Sequence, residues 1–338
     1  MRILFLALGL AASGCSKATP TTAPNKPAAV AKPVLTIYSG RSALLVEPLL
    51  QKFAEANGIE VKTRFDKSSE ALANRLAMEG VKSDADLFFA QTVGYLSLLG
   101  EQGLLRKLSD PLLRRVAPDK RSDKGLWVAT SGRLRVMVYS PERVKNLPKT
   151  LFELADARFA GRVGWAPGNA SFQAHVSALR SHWGEAKTTT WLKAMQANKP
   201  AVYPKNSPQV RAVDMGEIDI GLVNHYYLHK LRAQNPGLKA ANAHFVLPGD
   251  AGNLVMLAGV GIPKSSKHPQ LAEQLIEFLL SDEGQSYFAQ KAYEYPSVQG
   301  VPLHKDVRPV EGIVLKMPQA ALTDLAASLA LLRRLRLQ

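Results

Sequence analysis

From Val34 onward, short runs of β-branched and aromatic residues alternate with longer stretches in which apolar residues recur every three or four positions. VLTIYSG (34–40) is the first such run and ends in glycine. Leu45, Leu49, Phe53 and Ala56 then fall at helical spacing, with Ser42 placed as N-cap and Gly58 as the stop. IEVKTRF (59–65) alternates as a strand, 69–79 reads as a second helix, DADLFFA (84–90) as a buried strand, and 92–103 as a helix closed by Gly103. Strands alternating with helices at this spacing predict βαβ units and a parallel sheet.

The pattern then changes. LWVATSGRLRVMVYS (126–140) is too long for an ordinary strand and carries Ser131-Gly132 near its middle, which predicts a crossing from one lobe to another. Beyond it the alternation restarts with a strand at 162–167, a helix from Ser171 and a helix over 185–198. A short helix follows, with Ser207 as N-cap, Pro208 at its first position and Gly216 at its end, and then a strand at 218–223. NLVMLAGVGIP (253–263) is the candidate return crossing. Residues 268–284 predict one amphipathic helix with Leu271, Leu275, Phe278 and Leu279 on one face, and 319–337 a last helix docked on the second lobe. At 338 residues the chain exceeds what one core usually holds. The expected fold is therefore α/β and two-lobed, with two crossing strands as the hinge. Residues 34–132 plus 254–300 would form the first lobe, and 133–253 plus 301–338 the second. Ligands of open α/β sheets bind beyond the carboxyl ends of the strands, which singles out the turns at 39–42, 90–92, 167–171, 204–207 and 224–227.

The first 33 residues break this pattern. Arg2, the apolar stretch Ile3–Ala12 and the small residues before Cys15 read as a secretory leader over 1–14, too short to span a bilayer. Cys15 is the one cysteine of the chain, and its position after Ala12-Ser13-Gly14 resembles a bacterial lipobox, so lipid modification is expected there. Residues 15–33 are rich in Pro, Ala and Thr and predict an extended tether. The body would then be held at a membrane, in the periplasm or cell envelope. Formal net charge is +15, and Arg2 is the single charge the leader would remove. Such charge suits nucleic acid, an anionic membrane or an anionic ligand. Export and the scattering of the basic residues argue against nucleic acid.

Chemistry concentrates in GLVNHYYLHKL (221–231), directly after a predicted strand. Neighbours on a strand point to opposite faces, whereas in the first turn of a helix they diverge by about 100°. Tyr226 and Tyr227 could there converge on one ion. Free tyrosine titrates near pH 10, so two phenolates at neutral pH call for a hard Lewis acid such as ferric iron. A bare Tyr-Tyr pair is also explained by one ring that packs and one that hydrogen-bonds. His225 and His229 share a helix face, but no HExxH and no third ligand accompanies them, so they read as surface or hydrogen-bonding residues. Asn169, Ala170 and Ser171 begin a helix after a strand, as do Arg41 and Ser42, and helix starts of this kind can hold an anion. Nucleophile-elbow, Walker, dinucleotide and metalloprotease motifs are absent from the sequence, so turnover chemistry has no nominee.

Taken together, YSGRS (38–42), SDADLFFAQ (83–91), SGRLRVMVY (131–139), GWAPGNASFQ (164–173), KNSPQVRAVDMGEIDIGLVNHYY (205–227) and YEYP (293–296) resemble the periplasmic ferric-ion-binding proteins of bacterial ABC iron transporters. These are type 2 periplasmic binding proteins, related in architecture to transferrin lobes. The resemblance implies that Tyr226 and Tyr227 bind Fe³⁺ as tyrosinates. It further implies that Asn169, Ala170 and Ser171 hold a synergistic anion such as carbonate or phosphate, completed by Asn206 and Asn224, and that an inner-membrane permease receives the cargo from a monomeric, non-enzymatic protein. Two positions depart from the family. Arg41 or Ser42 stands where members carry a histidine, and Gln91 where they carry a glutamate. The expectation is then a sphere of tyrosinates completed by anion or water oxygens, with Tyr203 as a third phenolate and with Arg41, Ser42 and Gln91 on the anion side. The same fold binding a phosphonate, another anion or a thiamine-like cation is the alternative.

Overall fold

The computed structural model describes residues 32–66 and 68–337. The expected leader, Cys15 and the tether up to residue 31 lie outside the described residues. Among those described, no helix is long and apolar enough to cross a membrane.

The first half follows the predicted alternation: β1 (Val34–Ser39), α1 (Ala43–Asn57), β2 (Glu60–Phe65), α2 (Ser69–Glu79), β3 (Leu87–Ala90) and α3 (Gly94–Glu101). Strand β1 lies between β2 and β3 and is parallel to both. Val46, Leu49, Leu50 and Phe53 form the buried stripe of α1, and Gly58 ends the helix in the left-handed conformation at φ 62°. With Leu35 and Ile37 of β1 these side chains make one core, each fully buried one contributing about 1.5–3 kcal/mol. The turn after β1 sits tightly on the start of α2. A Cβ on Gly40 would come within 2.0 Å of Ser69 Oγ, and that same oxygen accepts the Gln91 N–H at 2.8 Å. Two of the turns singled out above are thus anchored on one serine.

After the short α4 (Asp110–Arg114), the long strand β4 (Val128–Tyr139) joins the two halves. The second half contains β5 (Val163–Trp165), α5 (Ala170–Trp183), α6 (Glu185–Ala197), β6 (Ala201–Val202), α7 (Asn206–Met215), β7 (Ile220–Asn224), α8 (Tyr226–Gln234) and β8 (Ala241–Ala243). The chain returns through β9 (Val255–Gly261) to α9 (Pro269–Leu279), α10 (Asp282–Gln290) and β10 (Tyr295–Pro296), and ends with α11 (Leu325–Arg334). The strands run in the order β2-β1-β3-β9-β4-β7-β5-β6, with β8 and β10 also paired to β4. Strand β4 changes partner midway. Val128 to Leu134 pair with β9, with a register shift between Ala129 and Ser131, whereas Arg135 to Tyr139 pair with β7. Gly259 of β9 allows the close approach there, since a Cβ would meet the Val128 carbonyl oxygen at 2.6 Å. The return crossing itself is short: Arg135 N–H donates to Leu254 O at 2.9 Å, and β9 from Val255 on belongs to the first sheet.

Three boundaries differ from the sequence reading. The expected single helix over 268–284 is two helices, because Ser281 is extended and its Oγ accepts the Gly284 N–H at 3.2 Å, starting α10 afresh. Helix α7 begins at Asn206 with Lys205 as its extended N-cap, so Ser207 lies inside the first turn instead of capping it. The last helix starts at Leu325, where Asp324 Oδ1 accepts the Ala327 N–H at 3.4 Å. It packs on α5, with Leu331 and Leu332 in the core that holds Leu179 and Trp191, and Ser328 Oγ meets Ser177 Oγ at 2.8 Å.

Candidate functional site

Strand β7 ends at Asn224 and α8 begins at Tyr226, so the tyrosine pair occupies the first turn of a helix directly beyond a strand. The two rings are stacked, with centroids 4.3 Å apart and planes at 29°. Tyr226 is buried and Tyr227 half-buried. Burial, reinforced by the neighbouring Tyr227, holds the Tyr226 phenol well above its ordinary pKa, while Arg133 pulls in the opposite direction. Both histidines of the segment are buried, not on the surface. His225 uses both ring nitrogens on backbone groups, and His229 stacks on Tyr293 with centroids 5.5 Å apart.

Beneath the pair lies a guanidinium that the sequence reading did not single out. Arg135 is 1% exposed, and its Nη1 donates to Ser171 Oγ at 3.3 Å, Asn206 Oδ1 at 3.1 Å and Asn224 Oδ1 at 3.1 Å. Its Nη2 donates to Leu222 O at 2.9 Å. Asn169 closes the cluster, since its Oδ1 accepts from Ser171 N at 3.1 Å, Ser171 Oγ at 2.6 Å and Asn206 Nδ2 at 3.2 Å. Asn169, Ser171, Asn206 and Asn224 therefore form one network around Arg135, with Ala170 exposed at the helix start beside it. Among the described residues no carboxylate pairs with Arg135. Burial lowers its pKa to about 10, and Tyr227 and Tyr226 act against that shift.

A second charged group lies on the first-half side. Glu294 is buried and accepts from Arg41 Nη2 at 2.8 and 2.9 Å and from Ser131 Oγ at 2.5 Å. Burial would raise its pKa, but Arg41 and Arg133 outweigh burial and hold the carboxyl below its ordinary value. Arg133 donates to the Gln91 carbonyl oxygen. With the Gln91 amide turned to suit its neighbours, its side-chain oxygen accepts from Arg133 Nη1 at 3.0 Å and its nitrogen donates to Gly40 O at 3.2 Å. Arg133 also faces Tyr226 and Tyr227 electrostatically. A cavity of about 90 Å³ is lined by Gln91, Tyr95 and Arg133 together with Ala170, Ser171 and Gln173.

Most of the predicted residues are thus brought to one place, with three exceptions. Arg41, expected to face an anion, has its guanidinium on Glu294. Ser42 is exposed at the start of α1 and makes no side-chain cap. The Tyr203 hydroxyl donates to Glu217 Oε2 at 3.4 Å, a residue past the C-terminal end of α7, whereas Asn206 opens that helix. Burial and then Glu217 raise the Tyr203 pKa. Arg133, Arg135 and Glu294 escaped the sequence reading. Two arginines at alternate positions in the RLRVMV stretch of β4 share one face, and that was the available signal. Among the described residues no group of three His, Cys, Asp or Glu side chains is placed to hold a metal, so a metal here would depend on the phenols.

Residues 81–312 match the model of the bacterial extracellular solute-binding protein family. The chain is 35% identical over 273 residues to the Fe(3+)-binding periplasmic protein of Serratia marcescens, covering 79% of this chain and 80% of that protein. Iron-bound HitA from Pseudomonas aeruginosa superposes with a TM-score of 0.83 at 31% identity, covering 89% of this chain and 99% of HitA. A Trichodesmium protein in complex with iron and citrate ligands superposes at 0.77 with 26% identity, covering 89% and 98%. These relatives are two-lobed binding proteins, and the α/β architecture described above is theirs. The chain belongs to the bacterial extracellular solute-binding proteins, whose members bind solutes and are not enzymes, and it groups there with the periplasmic ferric-ion-binding proteins.

Proposed function

We propose that this protein captures ferric iron together with a small anion between its two halves and delivers it to an ABC permease. The stacked pair Tyr226 and Tyr227, faced by two buried arginines, carries this reading. Two phenolates neutralise two of the three charges of Fe³⁺. The positive charge of Arg133 and Arg135 favours those phenolates and leaves room for an oxyanion to complete the sphere. Carbonate, phosphate or a carboxylate such as citrate fits that role, with Ala170, Ser171 and the asparagine network as its seat. Because Arg41 is neutralised by Glu294, the anion's positive partners are Arg133 and Arg135.

The lobes expected from the sequence would close about the partner change in β4, the movement by which such proteins enclose cargo. Lipid attachment at Cys15 would hold the monomer in the periplasm beside its permease, with no nucleic-acid partner.

Adding ferric citrate to the purified protein tests this reading. A visible tyrosinate-to-iron charge-transfer band is expected, with a rise in melting temperature, and both Tyr226→Phe and Tyr227→Phe should abolish the band. Absence of a band in the wild type, with no thermal shift, would sink the iron assignment. Stabilisation by a phosphonate or by thiamine instead would identify the alternative cargo.

A further inference from the structure

His225 fills the turn between β7 and α8, immediately before the tyrosine pair. Its Nδ1 accepts the Leu134 N–H at 3.1 Å and its Nε2 donates to the Tyr293 carbonyl at 2.6 Å. One accepting and one donating nitrogen define the neutral ring with its proton on Nε2. Its backbone is held as well: His225 N–H donates to Leu134 O at 2.9 Å, and its carbonyl accepts from Asn242 Nδ2 at 2.8 Å. The ring lies 4.8 Å from that of Tyr295 and meets Tyr226 edge-on at 5.9 Å.

The partners are what make this residue unusual. Leu134 is the last β4 residue in register with β9, and Arg135 is the first in register with β7. Tyr293 has φ 58°, a left-handed conformation that a non-glycine residue adopts at a cost and keeps only when its surroundings hold it. The next residue is Glu294, which binds Arg41 and Ser131 of the first half. A hydrogen-bonded path therefore runs from Arg41 through Glu294, along the backbone to Tyr293, and across His225 to Tyr226.

We propose that His225 is a positioning residue that couples the angle between the two halves to the placement of Tyr226 and Tyr227. The inference rests on those tyrosines holding the cargo. Tyr293 is bound to the first half through Glu294, and His225 is carried by β7 and α8 of the second. A rotation about the β4 partner change pulls the His225 ring away from the Tyr293 carbonyl or from the Leu134 N–H. The tyrosine turn is then held firmly in one relative orientation of the halves and loosened in others, so opening weakens the grip on the metal.

Two substitutions separate this coupling from simple packing. His225→Gln offers one acceptor and one donor and can remake both bonds, whereas His225→Leu keeps bulk and makes neither. Each variant would be loaded with ferric citrate, its charge-transfer band recorded, and iron release to excess EDTA timed. With the fold intact by circular dichroism, His225→Leu is expected to shift or weaken the band and to release iron at least about tenfold faster, matching the smallest affinity loss seen for groups that support metal ligands. His225→Gln should recover most of both properties. A merely structural role would lower the melting temperature and leave the band of the folded protein in place. Should the leucine variant not fold, His225→Asn replaces it, since its shorter amide reaches one partner and not both. Wild-type behaviour in the leucine variant, or equal impairment of leucine and glutamine variants, overturns the coupling while leaving the iron assignment intact. A wild type without a band removes the iron assignment first, and the coupling with it.

Discussion

Arg41 and Glu294 stand 253 residues apart in the sequence and 2.8 Å apart in space, the arginine 1% exposed and the glutamate fully buried. Neither charge reaches water, so each depends on the other. Removing one member of a buried pair typically costs about 3–5 kcal/mol because its partner is left uncompensated. Here Arg133 also lies in the field of the carboxylate. Glu294→Gln is accordingly expected to lower unfolding stability by about that amount at pH 7, measured by urea denaturation. The carboxyl is held below its ordinary value, so its contribution is present in full above the unfolded pKa, near 4.3. That contribution disappears as pH falls through the folded value. The variant should lack that acid-sensitive component. A stability unchanged from wild type would mean that the pair is not the buried unit described.

Arg135 offers a different test, because its partners are neutral oxygens and its charge faces the phenols. Arg135→Met removes the positive charge that favours phenolate at Tyr227 and Tyr226. Ferric affinity should fall at least about tenfold, within the range for groups that support metal ligands. The pH at which the coloured complex is half formed should move upward. Spectrophotometric titration at several pH values measures both. An unaltered midpoint would separate Arg135 from the tyrosines.

Tyr203 serves as the internal control. Its hydroxyl is bonded to Glu217 near the far end of α7, so Tyr203→Phe should leave the charge-transfer band and the iron affinity as in wild type. Loss of the band in this variant would restore Tyr203 as a third phenolate and would require α7 to move.

Acid should weaken the protein well above the range where carboxylates titrate. His175 is 1% exposed, its Nε2 lies 2.7 Å from Ala251 O, and burial, reinforced by Arg135, lowers its pKa to about 3. The ordinary value is about 6.5. Between the two, the unfolded chain binds a proton that the folded one refuses. The stability it confers is therefore full above pH 6.5 and falls as pH drops toward 3. At pH 5 the loss from this one residue is about 2 kcal/mol. Urea unfolding of wild type and His175→Gln at pH 7 and pH 5 should show a loss on acidification that is smaller by about that amount in the variant.

Much of the fold was legible because its elements are local. The α2 boundaries, the start of α5 and the placing of Tyr226 after a strand follow from spacing and caps within a dozen residues. The break at Ser281 was also written locally, as a serine followed by two acidic residues, but the continuous apolar stripe from Leu271 to Leu279 concealed it. The site was half legible. Asn169, Ser171, Asn206 and Asn224 came from strand ends and from a family resemblance. What gathers them is Arg135, on the strand read as a crossing between lobes. Arg41 was misassigned for the complementary reason: its partner lies at the other end of the chain, and no periodicity connects position 41 with position 294.

The place of β9 has a consequence for how the chain is made. It sits between β3 and β4, and it is synthesised after the strands β5 to β8 of the second half. Until residue 261 has emerged, β3 is paired on its β1 side alone, and the Val128–Leu134 part of β4 lacks the strand that joins it to β3. Non-local pairing of this kind slows folding, because the long intervening loop must close before its contacts form. The nascent protein therefore remains without its native first half until most of it exists.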